Sequence, residues 1–174
     1  MNKTYKTSVC GILFGLAITF SYIESLVPSS GIPGVKLGLS NIVTMFALEI
    51  MGFPYAFGIV VSKGMFAMIT RGFSGGVISL AGGLLSLFVM YIVSKCKSYM
   101  LLGISGGISH NTGQICAASL LMGTSDVFWY LPYLVLSGFV MGTVTAVTLK
   151  SVMPHVKGVW SSNVTTCRNS YKQQ

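Results

Sequence analysis

"GGISHNTGQICAASLLMG", residues Gly106 to Gly123, sets a histidine, an asparagine and a glutamine inside a stretch otherwise fit for the interior of a lipid bilayer. His110 and Gln114 stand one helical turn apart on one face, Asn111 lies beside them, and Ser109 and Thr112 add hydrogen-bonding capacity. Such groups either tie membrane helices together, for roughly 0.6 to 2 kcal/mol each, or line a ligand site. Three on one stripe exceed what tying needs, so the reading favours a small-molecule site lined by His110, Asn111 and Gln114, with interhelical bonding as the alternative. His110 reads as a neutral hydrogen-bonding group, since no second histidine or carboxylate stands near it in sequence to complete a metal site.

The rest of the chain supports a membrane setting. Of 174 residues, 52% are hydrophobic and 8% charged, whereas an ordinary soluble domain carries about 25% charged residues. Eleven basic and three acidic residues cannot cover the surface of a soluble protein of this length. The net charge of +8 follows from basic residues flanking apolar runs, which the positive-inside rule explains without nucleic acid. Cys10, Cys96, Cys116 and Cys167 show neither a CxxC pair nor metal-ligand spacing with His110 or His155. No metal, cofactor or disulfide framework is expected from them.

Six hydrophobic stretches can be marked: Ser8 to Val27, Leu37 to Met51, Tyr55 to Thr70, Gly76 to Ser94, Met100 to Met122 and Val127 to Leu149. The second and third have some fifteen residues each, roughly 23 Å as helix, and meet at Gly52-Phe53-Pro54. With six spans, the clusters Lys3/Lys6, Lys95/Lys97 and Lys150/Lys157/Arg168/Lys172 all fall on one side, which is therefore cytoplasmic. The expectation is an all-α integral membrane protein, a six-transmembrane-helix bundle of residues 1–153 with N and C termini cytoplasmic, followed by a polar, flexible tail over 154–174. The first stretch is read as a span rather than a signal peptide, because it is long, carries Glu24 and lacks a small-residue cleavage site.

Several charges need another explanation than topology. Lys36 and Arg71 fall in glycine- and proline-rich connections on the non-cytoplasmic side, where the choice lies between an anion or phosphate site and contact with headgroups or Glu24. Lys63 faces Glu49 across the expected hairpin, as an ion pair or as a group reaching a ligand. Small residues recur at GxxxG spacing in Gly11/Gly15, Gly103/Gly107 and Gly138/Gly142, where helices can approach closely. Glu24, Glu49 and Asp126 are dispersed, so the clustered carboxylates that hold magnesium for diphosphate chemistry are missing, as are nucleotide-binding and hydrolase motifs. The chain reads as a non-enzyme.

Ser25-Leu26 with "IPGVKLGLSNIVTMFAL" from Ile32 to Leu48, "SLAGGLLSLFVM" from Ser79 to Met90 and "SHNTGQICAASLLMGT" from Ser109 to Thr124 resemble a bacterial membrane family. That family carries two labels, heptaprenyl diphosphate synthase component I and Gx transporter, and the resemblance spans Gly11 to Val152. The family is in turn similar to S components of energy-coupling-factor (ECF) transporters, six-helix subunits that bind vitamins from outside. The resemblance implies a multi-pass protein of the bacterial cytoplasmic membrane, in contact with lipid. It also implies a small amphipathic substrate such as a flavin, quinone or isoprenoid precursor, and as partners a transmembrane coupling subunit and ATPases. Lys36, Asn41, Lys63, His110, Asn111 and Gln114 match polar positions of its motifs; with Arg71 they form the expected substrate site. Gly11, Gly15 and Thr19 map to the expected partner interface. The synthase label implies a non-catalytic membrane accessory that docks a soluble prenyl synthase.

Overall fold

The computed structural model describes the backbone of residues 3–26 and 39–171, and side chains over 7–25 and 40–156. Among the described residues five α-helices follow in order: α1 (Lys3–Leu26), α2 (Leu39–Met51), α3 (Phe53–Val93), α4 (Tyr99–Met122) and α5 (Leu131–Tyr171). Short 3-10 turns at Ser94–Cys96 and Asp126–Tyr130 join the last three.

α3 is bent back on itself at Gly72, whose φ of 79° and ψ of 174° leave helical geometry in a region open essentially to glycine alone. The two arms, 53–71 and 73–93, pack antiparallel. A methyl added at Gly64 would strike Leu80, one at Gly76 would strike Met68, and one at Gly83 would meet Val60 at 2.8 Å. Phe53 and Tyr91 close the far end of this hairpin edge to face, with ring centroids 5.0 Å apart. Each arm is roughly 30 Å long at 1.5 Å per residue, close to the thickness of a bilayer core.

Gly52 makes the other sharp turn, with φ 91°; its N–H closes α2 by donating to the Ala47 carbonyl at 3.1 Å. Pro54 follows in the first turn of α3, where a missing N–H costs nothing. α2 has 13 residues, Leu39–Met51, and residues 37 and 38 of the expected stretch lie outside the described residues. Past Pro154, where the sequence turns polar, α5 continues as helix to Tyr171.

α4 and α5 meet through small residues. A Cβ on Gly107 would press on the Gly138 carbonyl and lie 3.1 Å from Gly142 Cα; a Cβ on Gly103 would strike the Gly142 carbonyl. The two GxxxG pairs thus face one another antiparallel, backbone against backbone. Because lipid is as apolar as the helices, this close packing rather than apolar burial holds them together. Gly113 seats α4 against the second arm of α3 in the same manner, its added Cβ meeting Gly82 Cα at 2.9 Å. A core of Leu13, Ala17, Met45, Ala56, Met90 and Leu149 ties α1, α2, both arms of α3 and α5 together.

Among the described residues, three helical stretches are long and apolar enough to cross a membrane: Thr7–Ser25, Phe53–Cys96 and Asp126–Val156, with mean hydropathies of 1.5, 2.2 and 1.6. The 44-residue stretch Phe53–Cys96 includes both arms of the hairpin. Ile12, Ile69, Phe73, Leu120 and Leu136 point outward, as expected of a surface solvated by hydrocarbon.

Candidate functional site

The buried polar residues fall into a charged group and a hydrogen-bonded group. The charged group gathers where α1 ends, α2 begins and α3 turns. Glu24 accepts from Ser40 twice, the backbone N–H reaching Oε1 at 3.1 Å and the hydroxyl reaching Oε2 at 3.2 Å. Arg71 Nη2 donates to the Ser21 carbonyl at 3.2 Å and to its hydroxyl at 3.1 Å. Ser21 and Glu24 lie one helical turn apart on α1, and the Glu24 charge acts on both Arg71 and Lys63. Lys63 is 4% exposed.

The carboxylate whose charge acts on Lys63 is that of Glu24, while the sequence pattern sets Glu49 across from Lys63, as an ion pair or with Lys63 reaching a ligand. The reason lies in the direction of the arm. Glu49 stands three residues before the Gly52 turn, whereas Lys63 lies eleven residues beyond it, nearer to Gly72 and to the end of α1.

The hydrogen-bonded group runs through the middle of the bundle. Asn41 Nδ2 donates to Ser86 Oγ at 3.4 Å, and Ser86 Oγ donates to the Gly106 carbonyl at 2.9 Å, linking α2, the second arm of α3 and α4. Asn111 Nδ2 donates to the Leu134 carbonyl at 2.8 Å, joining α4 to α5. Gln114 Nε2 and His110 Nε2 lie 3.1 Å apart. Gly82 makes room for this pair, since a Cβ there would stand 2.6 Å from Gln114 Cγ and 2.7 Å from the His110 carbonyl. Asn41, His110 and Asn111 surround a void of about 10 Å³, room for one water at most.

A cavity of about 560 Å³ opens between the Gly72 turn and the α4–α5 connection. Its wall is mainly apolar, with Ile78, Ile115, Ala118, Met122, Val127 and Leu134 in contact with the space. Trp129 and Tyr130 stand at its edge, and Arg71, Gln114 and Asp126 are its charged or amide-bearing residues. Gln114 is 2% exposed, and its Oε1 has no hydrogen-bond partner; the same holds for the buried Nε of Arg71. Leaving a buried polar atom unpaired costs about 1–3 kcal/mol. The size is that of a site for a small organic molecule.

Of the residues singled out from sequence, Arg71 and Gln114 come together on the cavity wall. Lys63 is buried within the charged group, and Asn41, His110 and Asn111 are engaged in helix contacts. Lys36 lies outside the described residues. Gly11, Gly15 and Thr19 share an exposed face of α1, with open space where a Cβ would stand on either glycine. The sequence reading missed Ser21 and Ser40 and the aromatic rim. A signal for the first two existed: with three acidic residues in the chain, each buried cation must share one of them, and hydroxyls near Glu24 are its natural supports.

Fold and cavity together define a helical membrane protein with an amphipathic internal pocket. Residues 13–152 match the family of heptaprenyl diphosphate synthase component I, and the chain belongs to that family. No curated protein and no solved structure matches it, so the more distant likeness to transporter S components gains no support there.

Proposed function

We propose that this protein is the membrane-embedded, non-catalytic component of a heptaprenyl diphosphate synthase assembly, and that its bundle holds an amphipathic molecule with a long hydrocarbon body. The cavity between the Gly72 turn and the α4–α5 connection carries this reading: an apolar wall suits a chain, and a few convergent polar groups suit a head. The family label supplies the assembly. Dispersed acids, with Glu24 engaged by Ser40, favour a holding role over metal-dependent bond making.

On this reading the helices make six crossings of the bacterial cytoplasmic membrane, α2 being the short one. Lys95 and Lys97 lie at the end of the bundle away from the cavity and meet the soluble synthase on the cytoplasmic side. The cavity then opens toward the other face of the membrane. The open small-residue face of α1 favours a second reading, a substrate-binding subunit that docks a transmembrane coupling protein of an ECF module.

Purification from native membranes in mild detergent, with mass spectrometry of both proteins and extracted lipids, tests this. The expected result is prenyl synthase subunits together with a prenyl-chain molecule, and loss of the subunits when Lys95 and Lys97 are replaced by glutamine. Transporter ATPases in their place would establish the second reading, and neither partner with no bound molecule would overturn both.

A further inference from the structure

We propose that the small void where α2, α4 and α5 meet binds one ordered water, which donates to the amide oxygens of both Asn41 and Asn111 and joins two separate hydrogen-bond chains into one. The void exists because glycines border it: Gly107, Gly138 and Gly142 share its wall with Asn41, Asn111 and Thr145. It cannot be closed by further approach of the helices. A Cβ on Gly107 would already stand 3.1 Å from Gly142 Cα, so α4 and α5 are in backbone contact beside it.

The chemistry of the wall follows from the bonds around it. A backbone carbonyl accepts and never donates, and this fixes the orientation of both amides. Asn111 meets the Leu134 carbonyl, so its NH2 group is engaged there and its oxygen is left as an acceptor. Ser86 gives its hydroxyl proton to the Gly106 carbonyl and must therefore accept from Asn41, which engages the Asn41 NH2 group in the same way. Among the described residues, neither amide oxygen meets a donor. Thr145 donates to the Met141 carbonyl at 2.8 Å, so its oxygen also presents lone pairs. Asn41 and Asn111 are 6% and 4% exposed, inside a bundle surrounded by hydrocarbon, where acceptors have no bulk water to turn to. A void of about 10 Å³ admits a single water, whose two O–H groups match the two amide oxygens. Asn41, Ser86 and Gly106 tie α2 to α3 and α4, and Asn111 ties α4 to α5 at Leu134, on the cavity wall. With the water between the two amides, one network runs from α2 to that wall, whatever the cavity holds.

A structure of the purified protein at a resolution that shows ordered waters tests this directly. The expected result is one density feature about 2.5–3.0 Å from both amide oxygens. A map with no feature between them would overturn the inference. Melting in detergent gives a second reading. Asn41 and Asn111 share no direct hydrogen bond, so without the water Asn41→Ala and Asn111→Ala should lower the melting temperature additively. With the water, the loss in the double variant is expected to fall short of the summed single losses by at least about 2 °C. Additive losses would overturn the bridge. Sodium is the other small species that a wall of acceptor oxygens suits. Melting of the unaltered protein is expected to be the same in sodium and in choline buffer; a drop of more than about 2 °C in choline would assign the site to the cation and reject the water. The density and the choline comparison decide even where a variant does not fold.

Discussion

Gly107 and Gly138 show how much a single hydrogen atom in place of a side chain decides here. A Cβ on Gly138 would lie 2.8 Å from the Gly107 carbonyl oxygen and 3.0 Å from Ile108 Cα, and these are backbone atoms that cannot swing aside. Replacing Gly138 with alanine forces α4 and α5 apart, at an expected cost of about 1–3 kcal/mol. Gly11 has the same spacing pattern but open space beside it, so Gly11→Ala is expected to leave stability unchanged or raise it by up to about 1 kcal/mol through helix propensity. Thermal unfolding in detergent separates the two: a Gly138→Ala protein that melts with the parent would remove the close contact from the account. The same GxxxG spacing therefore carries opposite meanings on α1 and α4. Nothing in the local residues distinguishes them, because the difference is the presence of a neighbouring backbone.

The α3 hairpin turns on Gly72, and the cavity depends on that turn. A side chain at Gly72 would meet no neighbouring atom, so any penalty comes from the backbone alone, where φ 79° and ψ 174° suit glycine. Gly72→Ala is expected to cost on the order of 1–3 kcal/mol. It should also weaken ligand binding, since Arg71 and Gly75 flank the turn and border the cavity. Gly58→Ala, on a helical stretch of the same arm with open space beside it, serves as the reference and should be neutral. Equal stability and binding of the two variants, measured by melting and by Trp129 emission, would mean that the turn does not position Arg71. The two arms were legible as two apolar stretches separated by "RGFSG". Their register was not, because the contacts Gly64–Leu80 and Gly83–Val60 join residues that no local pattern pairs.

The molecule as a whole has two ends of different character. Lys95, Cys96 and Lys97 sit at the α3–α4 connection; the cavity, Ser125 and Asp126 sit at the α4–α5 connection, with the 24 residues of α4 between them. If α4 crosses the bilayer with its basic end inside, Cys96 is reached only from the cytoplasm. In a protein whose Cys10, Cys116 and Cys167 are replaced by alanine, an impermeant maleimide should label Cys96 in inside-out vesicles and not in right-side-out ones. A cysteine placed by Ser125→Cys in a Cys96→Ala version should show the reverse. Labelling of both positions from one side would reject the orientation and the six crossings together.

Membrane residence and helical class could be read from the residues in order. Hydrocarbon forces each spanning segment to satisfy its own backbone groups, so apolar runs of span length, broken by Gly, Pro or charge, announce helices without reference to the rest of the chain. The polar residues of "GGISHNTGQ" likewise announced that α4 faces protein rather than lipid. What they touch was decided in three dimensions: Asn111 holds the Leu134 carbonyl, whereas Gln114, less than one turn further on, borders the cavity. Arg71 reaches Ser21 across fifty residues of chain, and Lys63 meets the field of Glu24. Helix formation is a property of adjacent residues, but the partner of a buried charge depends on how helices far apart in sequence are registered against one another, and that is set by glycine contacts and core packing across the whole bundle.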